Sequence, residues 1–403
     1  MTPWIRVPAL TETAFAHFRR RAIFDCNKWD PQVGDVDVVA RSPLVMRSEA
    51  WIEVVQLAEA LAAETLALEA ELARRPDLHR ALGLPRLVRR ALASPEAPSI
   101  SAARIIRFDF HFTDEGWRIS EANTDVPGGL NEASGFAALM SPHYPECRPT
   151  GDPAAAYAHA IMQASGRRAP AIALVHATAY SDDQQMMTYL AARLTALGAH
   201  THLASPAHIR WHDGVAHLDA AWFRGPLDLI VRFFPSEWLS LLPARHDWMR
   251  HFRGGLTPQS NPSTAILTQT KRVPIVWHEL DTPLPTWRRL LPETRDPRTL
   301  RRRGDSEWIL KPALGRVGEG VGMMEALTPR EQRSIRRAAW LWPGHWIAQS
   351  RITTDPIDTA DGPVYPCLGV YTVGSRVAGA YGRLACRPLI DSRALDAAVL
   401  RAA

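Results

Sequence analysis

The sequence predicts a mixed α/β protein, with lobes of α+β character and a helical segment towards its N-terminal end. Three features of the 403 residues carry that expectation. Residues 48–73 recur in apolar character at three- and four-residue spacing. Residues 105–123 form two runs of period two around a turn. Residues 171–234 alternate strand-like and helix-like stretches.

In chain order, Ile52, Val55, Leu61, Ala62, Leu66 and Leu72 mark an amphipathic helix after Ser48, which is suited to cap it. A second helix is expected over 84–92, with Pro85 in its first turn. The Ala/Pro/Ser-rich stretch 94–103 reads as a linker. Next, IIRFDFHF (105–112), TDEG (113–116) and WRISEAN (117–123) read as a hairpin. AIALVH (171–176) is a buried strand. A helix follows from Ser181, with Gln184 completing a capping box and Gly198 ending it. Strands are then expected at 201–205, 227–234, 308–311, 345–350, 367–373 and 378–384. The approximate lobes are a helical region over 1–100, the hairpin region over 101–150, an α/β lobe over 170–250 and a final lobe over 251–403. No internal repeat is present.

Composition excludes several classes of function. The chain is 46% apolar and 22% charged, which argues against a disordered polymer. It has no run of eighteen apolar residues to span a membrane and no apolar core of a secretory signal near its start. Four scattered cysteines, without CxxC spacing, fit a reducing cytoplasm better than a disulfide scaffold or a zinc ribbon. Cys26 reads as a buried structural thiol, and the fifteen histidines show no metal-site spacing. The net charge of +5 raises the possibility of a nucleic-acid partner. However, only Lys28, Lys271 and Lys311 are lysines, and the other 44 basic residues are arginines, a compositional skew. The basic run 298–305 has no interleaved aromatics, so no nucleic acid is expected. Asparagine is also scarce, at Asn27, Asn123, Asn131 and Asn261. A lysine or asparagine kept under such a bias is expected where arginine or aspartate cannot substitute, because lysine is a compact charge and arginine a planar fork.

Three constellations carry chemistry. On the hairpin, Arg107 and Asp109 lie two apart and share a face, as do Glu121 and Asn123. If the strands pair, one guanidinium and three hard oxygen ligands meet, a set suited to Mg²⁺. Secondly, KPALGRVGEGVGM (311–323) puts Lys311 at a strand end before Gly315, Arg316, Gly318 and Gly320. Backbone N–H groups of such a loop can approach phosphate closely, although the order is not that of a P-loop. Thirdly, Lys271 precedes an apolar run, and Arg383 sits late in GAYGRL.

Taken in order, RFDF…EANTD, FFPSEW (233–238), NP…Lys271, ILKPALGR and GAYGRL…PLID resemble the synthetase domain of the glutathionylspermidine synthase family, over roughly residues 20–400. The resemblance implies an ATP-grasp fold in permuted order. It implies Asp109, Glu121 and Asn123 as Mg²⁺ ligands and Lys271 and Lys311 on the phosphates of ATP. Gly315, Arg316, Gly318 and Gly320 would form the phosphate cover, with Gln349 at a strand edge facing the adenine. Arg107 and Arg383 would act at the reacting group. The activity implied is an ATP- and Mg²⁺-dependent carboxylate–amine ligase with an acyl-phosphate intermediate. The acid would be a peptide or amino-acid carboxylate, and the amine a polyamine or amino acid. The alternative is an inactive nucleotide-binding scaffold of the same fold. The chain departs from the family at NTDVPGGLNEA (123–133), where Gly128 and Gly129 replace side chains that would touch a substrate. Neither substrate identity nor oligomeric state follows from the sequence.

Overall fold

The computed structural model describes residues 2–94, 99–101, 103–300, 308–315, 328–359 and 362–403. Two sheets organise it. The larger, of nine strands, runs Trp4–Ile5, Leu44–Met46, Leu395–Ala402, Arg376–Ala385, Gly362–Val373, Ile105–Thr113, Gly116–Asn123. Cys147–Pro149 and Ile357–Thr359 pair off this path. The smaller is parallel and runs His200–Ala204, Ala171–Val175, Leu229–Arg232, Gly255–Ser260, Ser99–Ser101. The expected linker therefore contributes an edge strand to this second sheet.

Period-two alternation splits the larger sheet into two chemically different faces. On one, Ile106, Phe108, Phe110, Leu368, Val370, Ala380, Leu384, Ala397 and Val399 are buried against the helix Ser48–Ala73. That helix buries Leu61, Ala62 and Leu72 as expected and adds Trp51, Val54, Leu57 and Leu68; Val55 and Leu66 pack at the margin of the core, and of the expected stripe Ile52 is exposed. The opposite face carries the polar residues. Cross-strand partners share a face, and Arg107 pairs with Asn123 and Tyr371, while Asp109 pairs with Glu121 and Gly369. Gly369 in turn pairs with Tyr381, and Arg383 pairs with Cys367 and Asp396.

The hairpin forms as expected. Its turn is fixed by Thr113, whose hydroxyl donates to the Gly116 carbonyl at 2.8 Å, and by Gly116 at φ 91°. Three local expectations are corrected. Ser48 does not cap its helix; its hydroxyl donates to the Ala402 carbonyl at 2.8 Å, and the capping position is Arg47. Pro85 precedes the helix Arg86–Leu92 as its cap instead of entering the first turn. The Ser181/Gln184 box does not form, because Tyr180 is the cap of Ser181–Ala196 and no side chain closes it. Among the described residues, no helix is long and apolar enough to cross a membrane.

Candidate functional site

A cleft opens on the polar face of the larger sheet, against the three-stranded sheet Thr294–Arg295, Trp346–Ser350, Trp308–Pro312. Arg107, Asp109, Glu121, Lys271, Lys311, Gly315, Gln349 and Arg383 all line it. They come from five strands and two connecting segments far apart in sequence. Arg316, Gly318 and Gly320 lie outside the described residues.

Arg107 is held from several sides. Its Nε donates to Asp109 Oδ1 at 2.7 Å and its Nη2 to Asp109 Oδ2 at 2.9 Å, a bidentate fork, while Nη1 donates to the Gly128 carbonyl at 2.7 Å. Asn123 Nδ2 adds a 3.2 Å bond to Asp109 Oδ2. Burial pushes the Asp109 carboxyl above its ordinary value although Arg107 opposes the shift. Glu121 Oε2 lies 3.1 Å from Lys271 Nζ. Burial pushes Glu121 up, but Lys271 and Lys311 outweigh it and bring the carboxyl to about 2. Lys311 is lowered to about 8, by burial first, with Glu121 opposing and Lys271 adding to the fall. The result is a compact cluster in which two neighbouring carboxylates, Asp109 and Glu121, are flanked by Arg107 on one side and by Lys271 and Lys311 on the other.

Lys311 Nζ donates to Gln349 Oε1 at 2.7 Å, and Gln349 Nε2 donates to Thr294 Oγ1 at 3.2 Å. Gln349 is not at a strand edge: its strand is the central one, paired with Thr294 on one side and Ile309 on the other. The expected edge facing an adenine is therefore corrected, because the backbone groups at that position are used in the ladder. Arg383 Nη2 donates to the Asp391 carbonyl, and its buried Nε has no hydrogen-bond partner among the described residues. Several buried arginines leave Nε unmet, Arg232 among them, but Arg383 lines the cleft, so its donor is available to an anion there.

The hard-oxygen set fits a magnesium ion in its chemistry. Asp109 and Glu121 are opposed across the hairpin, with the Asn123 amide two residues on. Among the described residues no three His, Cys, Asp or Glu side chains group for a metal, so the set comprises these two carboxylates and the amide. Mg²⁺ commonly takes one or two carboxylates and completes its shell with water and phosphate oxygens.

Several site-building residues escaped the sequence reading. Arg272, next to Lys271, is buried and donates to the carbonyls of Ala81, Pro343 and Trp346, each at 2.7 Å, and it pairs with Asp296 at 3.1 Å. It fixes the lysine-bearing turn to the three-stranded sheet. Asn261 clamps the open end of the hairpin: its Oδ1 accepts from Ile105 N at 2.9 Å, and its Nδ2 donates to the carbonyls of Ile105, Thr124 and Asp125. The scarcity of asparagine had already singled this residue out in the sequence; what escaped was its set of partners, far away in the chain. His111, which also lines the cleft, is pushed down to about 4, by burial first and then by Lys311, so it is neutral at pH 7. Cys26 is buried as expected, its thiol raised to about 12 by burial and by Asp25 and Glu132.

Comparison with solved structures gives a glutathione synthetase-like effector from Globodera pallida. It has a TM-score of 0.67 at 12% identity and covers 98% of this chain and 99% of its own. The two share a fold, the ATP-grasp-like architecture of glutathione synthetases. A protein from Methylobacillus flagellatus KT assigned as a γ-glutamylcysteine synthetase aligns over 82% of this chain and 86% of its own, at 15% identity and a TM-score of 0.45. Among curated proteins none matches significantly. The family comparison covers residues 46–394, nearly the whole length that builds both sheets and the cleft, and on that ground the chain belongs to the glutathionylspermidine synthase preATP-grasp family.

Proposed function

We propose that the chain is an ATP-dependent carboxylate–amine ligase. The observation that carries this reading is the convergence on one cleft of two lysines, two arginines, two carboxylates and a glycine-bearing loop start. Phosphoryl transfer asks a protein chiefly for positioning and charge neutralisation, which such a set supplies.

In this reading Lys271 and Lys311 hold the phosphates of ATP, and Gly315, with Arg316, Gly318 and Gly320 after it, covers them. Asp109, Glu121 and Asn123 hold Mg²⁺, which supplies charge neutralisation at the phosphates. Arg107 orients the acid, a peptide or amino-acid carboxylate, towards the γ-phosphate. A carboxylate oxygen bonds to the γ-phosphorus as the bond to ADP breaks, giving an acyl phosphate and ADP. The neutral amine of a polyamine or amino acid then attacks the acyl carbon. The carbon–oxygen bond to phosphate breaks, inorganic phosphate leaves, and the nitrogen gives up its proton to water. Arg383, with its unmet Nε donor, faces the negative charge that builds in both steps. Gln349 holds Lys311 in place, and Ile309 and Ile352 on the same wall of the cleft offer apolar surface to a nucleoside base.

Thermal shift with Mg-ATP, followed by an ADP-release screen of acid and amine pairs, tests the reading. Millimolar Mg-ATP should raise the melting temperature of wild type but not of Lys311→Ala or Asp109→Ala. ADP release should need Mg²⁺, an acid and an amine together. Arg107→Lys should lose the bidentate fork and, with it, on the order of a hundredfold in turnover while ATP still binds. Absence of nucleotide stabilisation in folded wild type would sink the ligase reading; stabilisation without ADP release from any pair would leave a nucleotide-binding scaffold.

A further inference from the structure

Lys28 is the one lysine that the cleft does not use. It follows the helix Glu12–Asp25, after Asn27 in a left-handed conformation at φ 55°. The residue is 4% exposed, and its ammonium lies 2.7 Å from Asp396 Oδ2, 2.9 Å from Glu132 Oε1 and 3.2 Å from Asp30 Oδ1. Both Lys28 and Asp396 stand outside the span 46–394 matched by the family, yet they meet next to the cleft, Asp396 being the cross-strand partner of Arg383.

From Asp396 the contacts run forward to the site. Its other oxygen, Oδ1, accepts from the Tyr381 hydroxyl at 3.1 Å. The Tyr381 ring centroid lies 5.8 Å from Arg107 Cζ, within cation–π range. Glycine at 369 permits that approach: a Cβ there would stand 2.9 Å from Arg107 Cδ and 3.1 Å from Tyr381 Cδ1. Arg107 is thus fixed by the Asp109 fork, by the Gly128 carbonyl and by this ring. The Gly128 carbonyl also accepts from the Tyr371 hydroxyl, and the helical turn that follows carries Glu132 back to Lys28. Two of the three constraints on Arg107 therefore lead to the same ammonium. A buried ionic cluster of this kind is an expensive way to fill space compared with apolar packing, which argues for a role in geometry.

We propose that Lys28 and Asp396 are positioning residues for Arg107, acting through the hydroxyl and ring of Tyr381. The geometric part stands alone; only its consequence for turnover rests on the ligase reading.

The test uses Tyr381→Phe, Asp396→Asn, Lys28→Met and Lys28→Arg in the full chain. Tyr381→Phe matters most, because it removes one hydroxyl and leaves the ionic cluster intact even if Lys28→Met fails to fold. The first readout is the Arg107 guanidinium signal in ¹⁵N–¹³C NMR, assigned by its loss in Arg107→Lys. Hydrogen exchange at Arg107 Nε should quicken on the order of tenfold in Tyr381→Phe and Asp396→Asn, with the melting temperature shifted by a few degrees at most. Lys28→Arg should restore a slow signal. The second readout uses any acid and amine pair that gives ADP release: turnover should fall on the order of tenfold or more in Tyr381→Phe, with KM for ATP unchanged. Unchanged Arg107 exchange in Tyr381→Phe and Asp396→Asn would overturn the proposal and leave the cluster a purely structural one. If no pair gives turnover, the ligase reading fails separately, and the NMR result still decides the positioning role.

Discussion

Two buried Arg–Asp pairs flank the base of the hairpin, and their difference separates folding from chemistry. Arg107 and Asp109 form one, with side chains 7% and 10% exposed at the wall of the cleft. Arg232 and Asp125 form the other, at 0% and 1%. Asp125 is closed on every side. Its Oδ1 takes Arg232 Nη2 and the Ser236 hydroxyl, its Oδ2 takes Ser236 N at 2.8 Å, and its backbone carbonyl takes Asn261 Nδ2 at 3.0 Å. Arg232 Nη1 goes to the Phe234 carbonyl at 2.6 Å and Nη2 also to that of Pro262 at 3.3 Å. The first pair has a free side, facing a groove lined with further charges. The second holds the hairpin, the parallel sheet and the Asn261 turn together. The same two residue types serve both, and only the open space beside them distinguishes their use.

The largest effect expected from this contrast is on stability. Asp125→Ala strands Arg232 as a buried, unpaired charge and should cost about 3–5 kcal/mol in denaturant unfolding. Asp109→Ala should cost less, since water and the facing Glu121 reach Arg107 from the cleft. If the two variants unfold at the same denaturant concentration, the division into a sealed and an open pair is wrong.

The next effect belongs to charge on the open side. Lys311 titrates near 8, below its ordinary value, because burial disfavours its ammonium. Above pH 8 the free cleft has lost that proton, and a bound phosphate would restore it. ATP affinity should therefore fall by up to about tenfold per pH unit above 8. Calorimetry in two buffers of different ionisation enthalpy should detect proton uptake at pH 8.5 and little at pH 6.5. Lys311→Arg should abolish the uptake, since arginine stays charged. For folding, the lowered value is a penalty. The unfolded chain holds this proton up to about pH 10.5, so the penalty is full below pH 8, is relieved as pH rises from 8 to 10.5, and is absent above that, and stability rises with pH through that window. A binding curve flat in pH would mean that Lys311 does not meet the phosphates.

How much of this was legible in the sequence follows the same division. The hairpin, its register-bearing polar residues and the two cleft lysines were readable, because alternation and rare residue types are local signals. FFPSEW and the Asn–Pro pair were readable as motifs but not in meaning. Ser236 and Asn261 prove to serve the Asp125 knot, since their partners lie more than a hundred residues away in the chain. Helix caps were misread for a related reason: Ser48 had a tertiary acceptor in Ala402 that no local pattern reveals. Lys28 was flagged by scarcity alone, and nothing near it in sequence announces Glu132 or Asp396.

The smallest effect concerns the two glycines that interrupt the family pattern, and it sharpens the comparison at single-residue scale. Gly129 sits at φ 84°, and a Cβ there would stand 3.0 Å from the Tyr371 hydroxyl and 3.1 Å from the Tyr381 ring. Gly128 has nothing within 4 Å of its added Cβ and is not in the left-handed region. Gly129→Ala should therefore cost about 1–2 kcal/mol, through backbone strain and the displaced tyrosines. Gly128→Ala should stay within about 0.5 kcal/mol of wild type. Yet Gly128 gives its carbonyl to Arg107, so the space beside it adjoins the proposed acid site. A bulkier Gly128→Leu should leave folding and Mg-ATP stabilisation intact while raising KM for the acid. If instead it destabilises the fold as Gly129→Ala does, the space is packing room, and the glycine at 128 marks no substrate.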